Sequence, residues 1–364
     1  MTKARELKVA LLGQGFMGKA HSNAFAQVGH FYDTPFRIRR ALLCGRDQAS
    51  LDTMAARWGW EETATDWRAA VDRPDIDLVD IALPNHLHAE AAIAAARAGK
   101  IVLCEKPLAL TVEDARAMAD AASRVRTMVW YNYRRVPAVA YARQLIADGR
   151  LGTIFHYDAA YRQQWGPDRS RDGTWKMDPA QAGSGVADDL LTHVLDLAGY
   201  LNGPIAEGLA MRQTFVPGRA IDDAFLAMVK FANGSIGQIQ ATRFGIGCRN
   251  ANSFQIHGSG GMLRFNLERL NHLEFADAAE PAVEQGTRDI LVTDMQHPVF
   301  PHFWRPAHII GYEHTFIAAL GEFLEALAAD REFHPDFHDG VAVQRVLAAL
   351  QDSAQSGRWT AVTT

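Results

Sequence analysis

Hydrophobic and polar positions along the chain change rhythm near residue 131. Up to that point, short unbroken apolar runs alternate with stretches of helical period. The runs fall at residues 8–12, 39–44, 78–82, 101–104 and 127–131, and runs of this kind predict strands with both faces covered, since neither face then needs polar residues. Between them, an amphipathic stretch to about Val28 and the Ala-rich segments 89–98 and 112–123 have helical spacing. The last of these opens with Thr111 and Asp114 three residues on, a variant of the capping box. Strand and helix in alternation predict an α/β fold with a doubly wound parallel sheet.

Past Tyr131 the period shortens to two. Residues 154–161, 226–231, 235–242, 253–257 and 262–265 alternate apolar with polar, and Asn233-Gly234 between two of them predicts a tight hairpin. The second half is therefore expected to be an α+β domain with a largely antiparallel open sheet, the boundary dividing residues 1–130 from 131–364. A sheet covered by helices on one face only leaves the other for a second copy of the chain. A homodimer or homotetramer through that sheet is expected.

Composition narrows the functional classes. The net charge is −5, and no basic run offers a nucleic acid a grip. No apolar stretch reaches the roughly 20 residues of a membrane span, and the first residues lack a signal-peptide core, so a cytoplasmic protein without a membrane partner is expected. Three cysteines, Cys44, Cys104 and Cys248, form no disulfide pattern. The 14 histidines fall in no HExxH spacing, and no CxxC accompanies them, so no metal is expected.

The glycine pattern Gly13-Gln-Gly15-Phe16-Met17-Gly18 lies between the first strand and the first helix. In that context it predicts a dinucleotide site, because the turn brings backbone close to a pyrophosphate and aims a helix N-terminus at it. Sites for NAD usually carry a carboxylate at the end of the second strand. Here the place reads Cys44-Gly45-Arg46-Asp47, which leaves room and positive charge for a 2′-phosphate. NADP or NAD is the expected cofactor, with NADP favoured. Asp47 opposes that choice, since a shift of alignment by two residues restores an acid.

Two further features bear chemistry. The strand at 101–104 ends in Glu105-Lys106-Pro107, which places an ammonium where ligands bind in open α/β sheets. In the second half, Asp189, His193 and Asp196 share one face of a hydrophobic helix. A polar stripe on so apolar a helix must face water, a partner or a ligand.

Together the glycine fingerprint, Asp80-Ile-Ala-Leu-Pro84-Asn85-His-Leu-His88, Cys104-Glu-Lys-Pro107, Asn132-Tyr-Arg-Arg135 and Asp189-x-x-x-His193-x-x-Asp196 resemble the Gfo/Idh/MocA family of sugar and cyclitol dehydrogenases. Gly311-Tyr-Glu-His314 and Pro335-Asp-Phe-His-Asp-Gly340 are similar to its C-terminal helices. Within the family, the nearest likeness is to members that oxidise an anhydrosugar or an inositol. The resemblance implies oxidation of a secondary hydroxyl of a sugar, sugar derivative or inositol. It implies His193 as general base, Lys106 stabilising the reacting oxygen and Asp189 orienting the base or a neighbouring hydroxyl. It also implies Tyr133, Arg134, Gln163, Trp165, Thr192 and Asp196 as substrate contacts. Gly13, Gly15, Phe16, Met17, Gly18, Arg46, Pro84, Asn85, His88, Glu105 and Lys106 are the implied cofactor contacts. Asp188 directly precedes Asp189, where family members commonly have a small residue, so the acid is open by one position. A cofactor-binding regulator without turnover and a nicotinamide-dependent glycosidase use the same fold, and both stand as alternatives.

Overall fold

Six parallel strands, β1 (Arg5–Leu12), β2 (Phe36–Cys44), β3 (Glu62–Ala64), β4 (Leu78–Ile81), β5 (Ile101–Cys104) and β6 (Thr127–Val129), form one sheet in the order β3-β2-β1-β4-β5-β6. All five neighbouring pairs are parallel. This is the doubly wound sheet expected from the apolar runs, extended by β3, whose three residues are too few to give a pattern. The structure is a computed structural model in which residues 5–363 are described.

Nine strands form the second sheet: β7 (Ile154–Arg162), β8 (Ile205–Gln213), β9 (Ala224–Phe231), β10 (Ile236–Thr242), β11 (Ala251–Gly258), β12 (Gly261–Asn266), β13 (His272–Asp277), β14 (Arg288–Leu291) and β15 (Thr360–Ala361). Their order is β14-β13-β12-β11-β7-β10-β9-β8-β15, antiparallel throughout except where β10 runs parallel to β7. The α-helices, in chain order, are α1 (Phe16–Phe31), α2 (Gln48–Trp58), α3 (Trp67–Val71), α4 (His88–Arg97), α5 (Val112–Ala121), α6 (Pro137–Ala147), α7 (Pro179–Ala182), α8 (Thr192–Asn202), α9 (Tyr312–Ala328) and α10 (Phe337–Ser356).

The chain divides into two compact units. One runs to Asn132 and resumes over Gly311–Ala342; the other covers Tyr133–Ile310 and resumes at Val343. Helix α9 thus returns to the first unit and lies against α1, close enough that a Cβ on Gly321 would meet the Tyr32 ring at 2.4 Å.

Local chemistry fixes the element ends. The Thr111 hydroxyl accepts the Asp114 N–H at 3.0 Å and starts α5, and Gly234, at φ 88°, makes the turn between β9 and β10. Strands β4 and β5 are interior and buried almost throughout. Strand order reverses between β1 and β4, so the ligand crevice of such a sheet lies at their carboxyl ends. Cys44 and Cys104 are buried at strand ends, where burial pushes the thiols up, Cys44 to about 12. They pack as small hydrophobes rather than nucleophiles.

Candidate functional site

In the first unit the glycine fingerprint has distinct duties at its three positions. Gly13 sits at φ 129°, and a Cβ there would lie 2.2 Å from the Ala82 carbonyl oxygen beyond β4. Gly18 packs α1 onto the turn, with the Gly13 carbonyl oxygen 2.0 Å from the place of its missing Cβ. Gly15 is different: nothing lies within 4 Å of its Cβ position. It is the N-cap of α1 and supplies no side-chain cap, and the first intrahelical bond is Lys19 N–H to the Gly15 carbonyl. Open space at uncapped N–H groups is where a pyrophosphate fits. Phe16 and Met17 lie on that turn, with Phe16 69% exposed.

At the end of β2, Arg46 is exposed, while Asp47 is the N-cap of α2 and accepts the Ser50 N–H at 2.8 Å. The Gln14 amide bonds the backbone of Asp47 on both sides and fills the space a Gly45 side chain would need. An open cleft beside it is lined by Gln14, Gly15, Phe16, Lys19, Met54 and Arg57.

Beyond β4 and β5, Pro84 and Lys106 are partly exposed and Asn85 is mostly buried. Two expected cofactor contacts, His88 and Glu105, make their hydrogen bonds inside the protein. His88 is fully buried, its ring nitrogens each 2.9 Å from the carbonyl oxygens of Pro107 and Leu83. Burial lowers its pKa against the opposing pull of the two carbonyl oxygens, and the buried ring ties the two loops together. Glu105 is likewise turned inward, accepting the Lys106 N–H at 3.0 Å through one oxygen and facing His21 Nε2 at 3.0 Å through the other.

The second unit gathers its polar residues at one edge of the sheet. Because β7 and β10 are parallel and β11 starts antiparallel beside β7, their ends bring together Tyr161, Gln163, Arg243 and Asn250. Helix α8, preceded by one π-helical turn at Ala187–Leu191, adds His193 and Asp189 to this unit. The His193 ring lies against Tyr133, centroids 4.6 Å apart, and edge-on to Tyr161 at 5.8 Å. The tyrosine hydroxyls are 3.0 Å apart, and Tyr161 donates to Asn250 at 2.7 Å, as does the Gln163 amide. Gln163 in turn accepts the Trp165 N–H at 2.5 Å. The Trp165 ring carries the guanidinium groups of Arg171 and Arg243, each 4.6 Å from its centroid. Arg243 also donates to Asp189 at 3.0 Å. The arrangement is an imidazole walled by aromatic rings, with amide, carboxylate and guanidinium groups alongside. Such a surface suits a ligand with one apolar face and many hydroxyls.

Of the adjacent acids, Asp188 is buried and accepts the backbone N–H and hydroxyl of Ser184, at 2.7 and 2.6 Å. Asp189 is the more exposed one, its side chain 24% accessible. Three expected substrate contacts are buried and hydrogen-bonded within the protein. Arg134 and Asp196 are buried against each other in a fork of three hydrogen bonds, the shortest 2.6 Å. Thr192 is fully buried and donates to the Asp188 carbonyl. Thr192 and Asp196 are carried on inward-packed positions of α8, and Arg134, from the turn before α6, reaches Asp196 there.

Sequence reasoning passed over Tyr161, Arg171, Asn250 and Arg243 in this cluster and His21 in the first unit. Tyr161 and Arg243 stand at strand ends on one sheet edge, a grouping that depends on the parallel pairing of β7 with β10. Among the described residues, His334, Asp336 and Asp339 bring donor atoms within 4.8 Å of one another. Asp336 and Asp339 already bond each other's backbone N–H groups at the start of α10.

Comparison with known proteins agrees with this geometry. Residues 7–133 match the oxidoreductase family with an NAD-binding Rossmann fold, and residues 139–264 match the GFO/IDH/MocA C-terminal domain. Levoglucosan dehydrogenase of Pseudarthrobacter phenanthrenivorans is 38% identical, covering 98% of both chains. The crystal structure of an oxidoreductase domain protein from Kribbella flavida superposes with a TM-score of 0.96 at 42% identity, over 99% of this chain and 100% of that one. Levoglucosan dehydrogenase in complex with NADH and levoglucosan gives a TM-score of 0.96 at 40% identity and the same coverage.

Proposed function

Since this chain belongs to the Gfo/Idh/MocA family of NAD-dependent oxidoreductases, we propose that it oxidises a secondary hydroxyl of a sugar, sugar derivative or inositol. The observation that carries the reading is the His193 cluster, an imidazole set among tyrosines with Gln163, Asn250, Asp189 and Arg243 around it. His193 takes the hydroxyl proton as general base. Lys106 donates to the same oxygen and favours its anionic character. Asp189, held by Arg243, binds a neighbouring hydroxyl, and Trp165 offers the apolar face of the sugar a wall. The dinucleotide, when bound, supplies the hydride acceptor. Gly13, Gly15 and Gly18 with the N-terminus of α1 hold its pyrophosphate, and Pro84 and Asn85 border the nicotinamide end.

For the cofactor, the reading gives NADP preference over NAD. Gly45 stands where a ribose-binding acid is usual, Arg46 is exposed, and one oxygen of Asp47 is engaged in capping α2. Arg46→Asp should move the ratio of kcat/KM values toward NAD; an unchanged ratio refutes the phosphate contact.

The outer face of the second sheet carries Met211, Leu226, Met228 and Ile236, all exposed, beside Gln238, Gln240 and the ion pair Lys230–Glu207. A face so low in net charge meets its own copy without repulsion, so a homodimer or homotetramer through this sheet belongs to the proposal, as does a cytoplasmic location. Sedimentation equilibrium showing only monomer would overturn the assembly. Among the described residues, no helix is long and apolar enough to cross a membrane. The relative's ligand makes levoglucosan the first substrate to try, followed by aldoses, disaccharides and inositols, each with NAD and NADP. Growth of reduced-nicotinamide absorbance with at least one polyol supports the reading. Cofactor binding without any turnover favours a regulator, and glycoside cleavage without net reduction favours a glycosidase.

A further inference from the structure

We propose that His21 is a positioning residue for Lys106: clamped as an imidazolium between Asp80 and Glu105, it fixes the Glu105 carboxylate that holds the Lys106 backbone, and so sets where the Lys106 amine is presented. The inference rests on the reading of Lys106 given above.

Helix α1 starts at the glycine turn and buries Gly18, His21, Ser22, Phe25 and Val28, the inward stripe of a helix at spacings of three and four. His21 is the one ionisable residue on that stripe. It has no accessible surface, and both its ring nitrogens face carboxylates: Nδ1 lies 2.8 Å from Asp80 on β4, and Nε2 lies 3.0 Å from Glu105 at the end of β5. A carboxylate only accepts hydrogen bonds, so satisfying both partners requires a proton on each nitrogen. Trp130 completes the enclosure, stacked on the imidazole at 4.2 Å and donating to the other Asp80 oxygen at 2.8 Å. Phe316 of α9 lies 5.7 Å from the imidazole ring.

The charges decide what this cluster does. Two carboxylates buried together without a cation cannot both stay ionised, and one would take up a proton or swing out. With the imidazolium between them both remain acceptors, and the second Glu105 oxygen is free to receive the Lys106 N–H at 3.0 Å. Burial works against the imidazolium, but the two carboxylates more than reverse it and raise its pKa to about 9. The helix whose N-terminus seats the pyrophosphate is therefore tied, one turn further on, to the loop that carries the amine. A merely packed core histidine would need neither two acids nor the link to the Lys106 backbone.

A double-mutant cycle tests this. Turnover and sugar KM are measured for wild type, His21→Gln, Lys106→Ala and the double variant. His21→Gln alone should lower kcat at least about tenfold with KM changed less than about threefold, and it should add no more than about twofold in the Lys106→Ala background. Equal losses in both backgrounds, or no loss from His21→Gln where Lys106→Ala is crippled, overturns the proposal. Full turnover by Lys106→Ala overturns the reading beneath it, a different result. Glu105→Gln serves as a second variant with the same expected pattern. Nitrogen-15 NMR of histidine-labelled wild type adds a readout independent of activity. One ring should keep imidazolium shifts on both nitrogens at pH 8, where ordinary histidines are neutral. A spectrum with every ring neutral at that pH contradicts the clamp.

Discussion

Arg134 and Asp196, expected from the sequence as substrate contacts, are paired with each other in the structure. The helical spacing that places Asp196 beside His193 is present, and Arg134 bonds both oxygens of Asp196, with both side chains buried. Removing one partner leaves a buried charge alone, so Arg134→Ala should destabilise the fold by about 3–5 kcal/mol. Chemical denaturation measures this, and an unchanged unfolding midpoint would return Arg134 to the surface. Lys106 and His193 were conspicuous in the sequence because each follows or belongs to a strong local pattern. His21 was not, since one histidine on an apolar helix stripe reads as core until the acids from two other strands are seen around it. Arg243 was hidden for a similar reason: its partners Asp189 and Trp165 lie 54 and 78 positions away in the chain.

Among the elements, α1 was the most legible, because glycine spacing, strand before and helix after all agree with one another. Its geometry also makes the sharpest prediction at this scale. A methyl group on Gly18 would sit 2.0 Å from the Gly13 carbonyl, a backbone atom that cannot yield without moving the turn. Gly18→Ala should therefore weaken NADH binding at least about tenfold by displacing the helix N-terminus from the pyrophosphate. Fluorescence titration of NADH reads it, and wild-type affinity in that variant would refute the seat. The second sheet was legible only where alternation was clean. Strands β8, β13, β14 and β15 were missed, because β8 carries polar residues on both faces, β13 alternates over only about four residues, and β14 and β15 are only four and two residues long. The parallel pairing of β7 with β10 was also out of reach, since hairpin signals speak only of neighbours in sequence.

For the whole molecule, the fold class and the family were readable from motifs spread along nearly the full chain, whereas the return of α9 to the first unit was not, because no local pattern reports which core an amphipathic helix covers. Protonation links one buried cluster to global stability. The folded pKa of His21, about 9, stands above its ordinary value of 6.5, so its proton stabilises the native state fully below pH 6.5 and progressively less as pH rises through 9. Asp222, pushed up to about 7 chiefly by burial and then by Asp188, acts in the same direction at lower pH, its contribution fading as pH rises from about 4 to 7. Calorimetry should find the unfolding temperature higher at pH 6 than at pH 9.5, with the decline above pH 6.5 reduced in His21→Gln. A temperature that rises over that interval would contradict the assigned protonation.

The central claim is that the Lys106 amine and the His193 imidazole serve alcohol oxidation. The most direct measurement is the steady-state rate of nicotinamide reduction, with the best polyol from the screen, by wild type, Lys106→Ala and His193→Ala. The account predicts substrate-dependent turnover in wild type and a loss of at least about a hundredfold in each variant while both remain folded. Near-normal rates in both variants would contradict it.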